Sequence, residues 1–226
     1  MVSVILLMAG TGSRMGASKN KILLDLNGKM LFQYPLELFK SLGFEIICVI
    51  NKNDEEVLKP YLKDVKYTYG GDTRGESVFN GLKKCSGDYV LIHDSARVLL
   101  SKDTVLSIVD NINKYDAILT YNKVKDTIKE NNGGKLTTLK RDNLIAASTP
   151  QCGKKDLLLD VYIKGFNDKL IFTDDISLIE YYYPNVKIGL IEANEENFKV
   201  TTPLDYKIIK ELIKWLELVM LGTHIS

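Results

Sequence analysis

The chain lacks a long apolar run, an excess of charge of either sign, and all but a little cysteine. Its longest apolar stretch falls far short of the roughly 20 residues that a bilayer-spanning helix needs, which argues against a helical membrane protein. Thirty basic side chains (30) stand against 29 acidic ones, a formal net charge of +1. No global field therefore draws the molecule to nucleic acid or to an anionic bilayer. Any phosphate chemistry has to come from cations gathered locally. Cys48, Cys85 and Cys152 are odd in number and never form a C-x-x-C pair. They read as core thiols and not as disulfides or a zinc site. The opening Met1-Val2-Ser3-Val4-Ile5-Leu6-Leu7 has no basic leader and no cleavage site. It reads as a first strand and not as a signal peptide, so the cytoplasm is the expected compartment. Repeats, low-complexity tracts and linkers are missing too. Residues 1–226 are thus expected to form one domain, with 45% hydrophobic content supporting one sizeable core.

What is present is an alternation. Continuous apolar runs at 2–8, 44–50, 89–93 and 117–121 read as buried parallel strands. Between them, 30–42, 54–62, 74–85 and 102–112 carry apolar residues at helical spacing. This pattern predicts right-handed βαβ units, that is, a doubly wound α/β fold with a mostly parallel sheet. Ligands in such sheets bind at the carboxyl ends of the strands, so chemistry is expected after Met8 and after His93. From about 122 to 141 the sequence turns polar around Asn131-Asn132-Gly133-Gly134, a hairpin signal. It predicts a protruding β-hairpin arm, which either packs on a second subunit or stands in solvent. A strand near 144–148, helices near 154–166 and 174–182, a strand at 186–191 and a helix from Pro203 complete the expected order.

The first strand runs into Met8-Ala9-Gly10-Thr11-Gly12-Ser13-Arg14-Met15-Gly16-Ala17-Ser18-Lys19-Asn20-Lys21. Small residues after a parallel strand let backbone N–H groups approach a phosphate. A dinucleotide fingerprint starting at Gly10 would need glycine where Met15 stands, and a P-loop would need a Gly-Lys-Ser/Thr that is absent. What remains is a glycine loop followed by Arg14, Lys19 and Lys21, cations that repel one another unless an anion binds among them.

This segment resembles the signature of the cytidylyltransferases of the nucleotide-diphospho-sugar transferase superfamily. The resemblance is closest to the 2-C-methyl-D-erythritol 4-phosphate cytidylyltransferases and their sister family, the ribitol-5-phosphate cytidylyltransferases. Their A-A/G-G-x-G-x-R-M, followed five residues later by P-K, falls on Met8 through Lys21, with Asn20 in place of the proline. A second cluster, Gly70-Gly71-Asp72-Thr73-Arg74-Gly75-Glu76-Ser77-Val78-Phe79-Asn80-Gly81-Leu82, matches the family's G-G-x-x-R-x-x-S-V-x-x-G-L. A third, His93-Asp94-Ser95-Ala96-Arg97-Val98, resembles H-D-A-A-R-P, with Val98 for the proline. Asp126-Thr127, Arg141 before Thr149-Pro150-Gln151, and Asn197-Phe198-Lys199-Val200-Thr201-Thr202-Pro203-Leu204-Asp205 complete the set.

The resemblance implies transfer of CMP from CTP to a small phosphorylated polyol, with release of pyrophosphate, in isoprenoid precursor synthesis. It implies that Arg14, Lys21, Arg141 and Lys199 are catalytic. Ala9, Gly10, Thr11, Gly12, Gly71, Asp72, Arg74, Ser77 and Ser95 would bind the nucleotide. Asp94, Arg97, Thr127, Arg141 and Lys199 would hold the acceptor. Mg²⁺ would ride mainly on the CTP phosphates, with no side chain assigned to it, and the arm would build a homodimer. Ala96 before Arg97 is the methylerythritol-like choice, whereas the ribitol enzymes more often carry Val there. Loss of the proline at Asn20 implies a looser loop before substrate binds. His93 reads as a packed strand-end residue and not as a base, because a phosphate monoester is already ionised at neutral pH. Thr173-Asp174-Asp175 reads as a capped helix start and not as a metal pair. A nucleotide-binding protein that has lost turnover is the remaining alternative.

Overall fold

A computed structural model describes residues 1–10 and 20–222. Strand β1 (Val2–Leu7) leads into a small hairpin, β2 (Asp25–Leu26) and β3 (Lys29–Met30). Asn27 and Gly28 supply positive φ at its turn, 53° and 81°. Asn-Gly between two short strands is a strong hairpin signal, and the expected helix from residue 30 overran it. Helix α1 (Gln33–Ser41) therefore starts later and leads to β4 (Glu45–Ile50). The helix expected over 54–62 is broken as well. It forms α2 (Glu55–Leu58) and then a 3₁₀ turn at Lys59–Tyr61, because Pro60 lacks the N–H that an α-helix would use there. An edge strand absent from the sequence-based expectation, β5 (Lys66–Tyr69), follows. Then come α3 (Arg74–Leu82), β6 (Tyr89–Asp94), α4 (Lys102–Asn111) and β7 (Ala117–Lys123).

Beyond β7, β8 (Lys129–Asn132) and β9 (Lys135–Thr138) form the expected hairpin. Gly133 and Gly134, with φ of 58° and 93°, make its two-residue turn. All eight strand residues are exposed. The boundary near residue 122 is corrected, because Asn122 and Lys123 belong to β7 and pair with Ala146 and Ile145 of β10 (Ile145–Lys154). The hairpin grows out of a pair already anchored in the main sheet. Helices α5 (Lys155–Asn167) and α6 (Asp175–Tyr182), strand β11 (Ile188–Glu192) and helix α7 (Pro203–Gly222) end the described chain.

Among the described residues, seven strands form the main sheet in the order β11-β7-β10-β6-β1-β4-β5. β1, β4, β5 and β6 run parallel, and β11 is parallel to β7. β10 alone in this sheet is antiparallel to its neighbours β6 and β7. The α/β, mostly parallel arrangement expected from the alternation is what forms. Side chains alternate across the sheet as the pleat requires. Val4, Leu6, Cys48, Ile50 and Leu91 face α1, α2 and α4, while Ile5, Ile47, Val49, Val90 and Ile92 face α3, α5 and α6. The three cysteines are free, buried thiols, with burial pushing Cys48 up to about 12. A third apolar cluster of Leu26, Leu31, Val98, Val200, Ile209 and Ile213 seats α7. No helix among the described residues is long and apolar enough to cross a membrane.

Chain order sets where a crevice opens. From β1 the chain winds outward through β4 to β5, then α3 carries it back to β6 on the other flank of β1. The loops after β1 and β6 therefore diverge in opposite directions at the carboxyl edge, the place where such sheets leave room for a ligand.

Candidate active site

A cavity of about 590 Å³ occupies that crevice. Ala9 and Gly10 reach it from the end of β1, Lys21 from the turn that follows, Asn51 from the end of β4, and Asp94 and Ser95 from the end of β6. Gly71, Asp72, Arg74 and Ser77 come from the start of α3, and Lys199 from the segment ahead of α7. Ten of the expected site residues thus share one space. Thr11, Gly12 and Arg14 lie outside the described residues. Arg97 packs behind Asp94 and does not line the cavity. Thr127 and Arg141 stand exposed at the base of the hairpin, where Arg141 Nη1 donates to the Lys125 carbonyl at 2.9 Å.

The start of α3 is built by local chemistry. Thr73 is the N-cap, and its Oγ1 accepts from the Glu76 N–H at 3.1 Å while Glu76 Oε2 accepts from the Thr73 N–H at 2.9 Å. Reciprocal bonds of this kind satisfy two donors at the open end of a helix. Ser77 Oγ donates to the Thr73 carbonyl and accepts from the Gly71 N–H, folding the glycine pair onto the helix. A Cβ on Gly70 would meet Ala9 Cβ at 2.5 Å and Ser77 Oγ at 2.8 Å. Glycine is needed there because the two glycine-bearing turns of the site close on each other.

Asp94 is the electrostatic centre. Its carboxylate lies 2.8 Å from Lys199 Nζ, 3.7 Å from Arg74 Nε and 3.9 Å from Arg97 Nε. Burial alone would raise its pKa, but Arg74, Lys199 and Arg97 hold it well below the usual carboxylate range. Arg74 is committed elsewhere as well. Both terminal nitrogens donate to the Asp175 carboxylate, each at 2.8 Å, and Tyr162 Oη donates to the same group. Burial would lower the Arg74 pKa, yet Asp175 and Asp94 raise it well above its ordinary value. Arg97 Nη1 donates to the Asn197 carbonyl at 2.9 Å, so this arginine braces the segment that carries Lys199. Asn197 is itself fully buried and donates to the Thr149 carbonyl at 2.8 Å. Behind it, Thr202 Oγ1 accepts from the Asp205 N–H while the Asp205 carboxylate accepts from the Thr201 and Thr202 N–H groups, a reciprocal cap at the start of α7.

His93 is fully buried, between the Arg97 carbonyl at Nε2 and the Thr149 hydroxyl at Nδ1. Burial pushes its pKa down to about 4, so it stays neutral at physiological pH and packs, as expected. Asp174 caps α6 by accepting from the Ser177 N–H at 2.8 Å, again as expected. Its neighbour Asp175 is the residue that sequence reasoning missed. Nothing local marks a carboxylate at a helix start as the partner of an arginine 101 residues earlier. Asn51 was missed too, although the strand-end rule that singled out Met8 and His93 also covers the residue after β4.

A mostly parallel sheet with glycine-bearing turns and fixed cations around its switch-point crevice is the framework of a protein that binds a phosphorylated ligand such as a nucleotide. Comparison with known proteins narrows this class. Residues 2–214 match the family model described as IspD: 2-C-methyl-D-erythritol 4-phosphate cytidylyltransferase. The cytidylyltransferase of that name from Prochlorococcus marinus (strain MIT 9312) is 38% identical over 216 residues, covering 91% of this chain and 95% of that protein. The one from Aquifex aeolicus (strain VF5) is 36% identical over 214 residues, covering 94% and 98%. A crystal structure of 4-diphosphocytidyl-2C-methyl-D-erythritol synthase from Anaerococcus prevotii superposes with a TM-score of 0.86 at 28% identity, covering 95% of this chain and 98% of that one. The chain belongs to the 2-C-methyl-D-erythritol 4-phosphate cytidylyltransferase family. It is an enzyme, and a nucleotidyltransferase.

Proposed function

We propose that this protein transfers CMP from CTP to 2-C-methyl-D-erythritol 4-phosphate in the cytoplasm, as one domain, with the following division of labour. The CTP phosphates lie along Ala9, Gly10, Thr11 and Gly12, against Arg14 and Lys21. The nucleoside lies over Gly71, Asp72, Arg74, Ser77 and Ser95. Asp94, Arg97, Thr127, Arg141 and Lys199 serve the acceptor. An acceptor phosphate oxygen attacks the α-phosphorus, a new P–O bond forms, the bond to the β-phosphate breaks, and pyrophosphate leaves with the charge. No protein nucleophile is needed, and the acceptor phosphate is already ionised, so no base is needed either. The protein's task is to hold two anions together and to stabilise the charge around the α-phosphate. Lys199, steered by Asp94, brings its charge already oriented.

When bound, Mg²⁺ would supply further charge neutralisation on the triphosphate. The cavity's described carboxylates are Asp72 and Asp94. Asp94 is already matched by cations, and no three His, Cys, Asp or Glu side chains converge on a metal site among the described residues. The ion would be held mainly through CTP. A homodimer built by the hairpin arm completes the proposal. It is supported by exposed Ile128, Leu136 and Ile145 on and beside the arm, and by the position of Thr127 and Arg141 outside the cavity.

The observation that carries the proposal is the convergence of Lys21, Lys199 and Asp94 with the glycine-bearing turns on one cavity at the switch point. With CTP, Mg²⁺ and 2-C-methyl-D-erythritol 4-phosphate the purified protein is expected to release pyrophosphate. Lys21→Ala is expected to slow it by on the order of 10²–10³ while remaining folded. Release with ribitol 5-phosphate alone would keep the class and overturn the acceptor. CTP binding without turnover on any phosphorylated polyol would favour the inactive alternative. The names of the relatives do not favour the ribitol reading.

A further inference from the structure

Asn20 stands immediately before Lys21, yet it is only 7% exposed. Its Nδ2 donates to the Met8 carbonyl at 3.1 Å and to Asp54 Oδ2 at 2.7 Å. Both partners are acceptors only, so chemistry fixes which way the amide points. Its Oδ1 accepts from the Ile22 N–H at 3.4 Å and caps the 3₁₀ turn Lys21–Leu23. One side chain thus joins three places: the end of β1, the turn Lys52–Asp54 that follows β4, and the turn that carries Lys21 into the cavity. Met8 and Asn20 flank the glycine-rich segment, and this bond joins its two flanks. The backbone of Asn20 has φ −56° and ψ 127°. Proline is confined to φ of about −65°, so this is a conformation that a proline ring would hold by covalent constraint. Here it is held by hydrogen bonds. The looser loop expected from the missing proline concerns residues 11–19, which lie outside the described residues; Asn20 itself is tied on three sides.

We infer that Asn20 is a positioning residue for Lys21. It ties the turn that carries Lys21 to the end of β1 through Met8 and to the turn after β4 through Asp54, and so fixes where the Lys21 ammonium enters the cavity. This rests on the assignment of Lys21 to the transition state. A group that acts by placing a transition-state cation affects kcat more than substrate affinity.

Pyrophosphate release is to be measured for Asn20→Ala, Asn20→Pro, Asp54→Ala and Lys21→Ala, with thermal unfolding of each. Asn20→Ala is expected to lower kcat about tenfold with both KM values within about twofold, and Asp54→Ala to lower it by a smaller factor. Asn20→Pro is expected to return to within about threefold of the parent, because the ring restores the backbone angle. Parent-like kcat in Asn20→Ala would overturn the inference. So would KM rising in step with any loss, or Asn20→Pro no faster than Asn20→Ala. Should Asn20→Ala fail to fold, an unchanged rate in Asp54→Ala overturns it alone. A parent-like Lys21→Ala takes down both the assignment of Lys21 and the inference. A slow Lys21→Ala beside an unaffected Asn20→Ala removes the inference only.

Discussion

Two adjacent residues at the end of β6 show how one environment treats opposite charges. Asp94 and His93 are both buried, and both titrate below their usual ranges. Burial disfavours the imidazolium, and the Arg97 carbonyl and the Asp94 carboxylate repay only part of that cost, so His93 is pushed down to about 4. Burial also disfavours the carboxylate, but three facing cations more than repay that cost. The consequences for stability can be signed. The unfolded histidine titrates near 6.5 and the folded one near 4. Its neutral form is therefore fully accommodated above pH 6.5, and stability is lost as pH falls from 6.5 towards 4, by about 3 kcal/mol in all. Urea unfolding at pH 7 and pH 5 is expected to show a shallower decline for His93→Gln than for the parent. Equal declines would remove His93 as the source. The packing role of His93 was legible in the sequence, because a strand-end histidine after an apolar run belongs to the core and phosphoryl transfer needs no base. The low pKa was not, since it depends on which groups surround the ring.

At the scale of elements, the capping box at Thr73 and the caps at Asp174 and Thr202 are sequence-local. Each cap contributes about 1 kcal/mol by satisfying open N–H groups. What ties the elements to one another is Asp175. From the first residue of α6 it accepts from Arg74 at the start of α3 and from Tyr162 on α5. Asp175→Ala would leave a guanidinium and a phenol without their buried acceptor. A cost of about 3–5 kcal/mol in urea unfolding is expected, and a loss under about 1 kcal/mol would show that the pair does not hold the helices. Strand β5 and the β2–β3 hairpin escaped sequence reading for related reasons. Lys66–Tyr69 is largely exposed and has no continuous apolar run, so its strand character comes from its pairing with β4. The two strands of the hairpin hold only two residues each.

Over the whole molecule, the site is a product of topology. The reversal of winding at β1 and β6 opens the crevice, and α7 closes the fold behind Lys199 through Val200, Ile209 and Ile213. Thr127 and Arg141, which the proposal gives to the acceptor, stand exposed at the root of the hairpin and do not line that crevice. If the arm builds the dimer, replacing residues 128–139 by two glycines is expected to give a monomer in sedimentation. CTP binding should survive and turnover should not. A dimer that persists would take the arm out of the interface.

Local order was legible in the sequence because it is written by short-range rules. The pleat, the helical period and the helix caps each involve residues a few positions apart, and so do the glycine, arginine and lysine clusters that point to phosphate chemistry. The tertiary structure alone decided that β10 runs antiparallel between β6 and β7, that Arg74 is spoken for by Asp175, and that Asn20 is clamped to Met8 and Asp54. Those outcomes depend on which distant groups share a buried volume. A buried charge or amide takes whichever partner packing leaves within reach, and no local pattern records that choice.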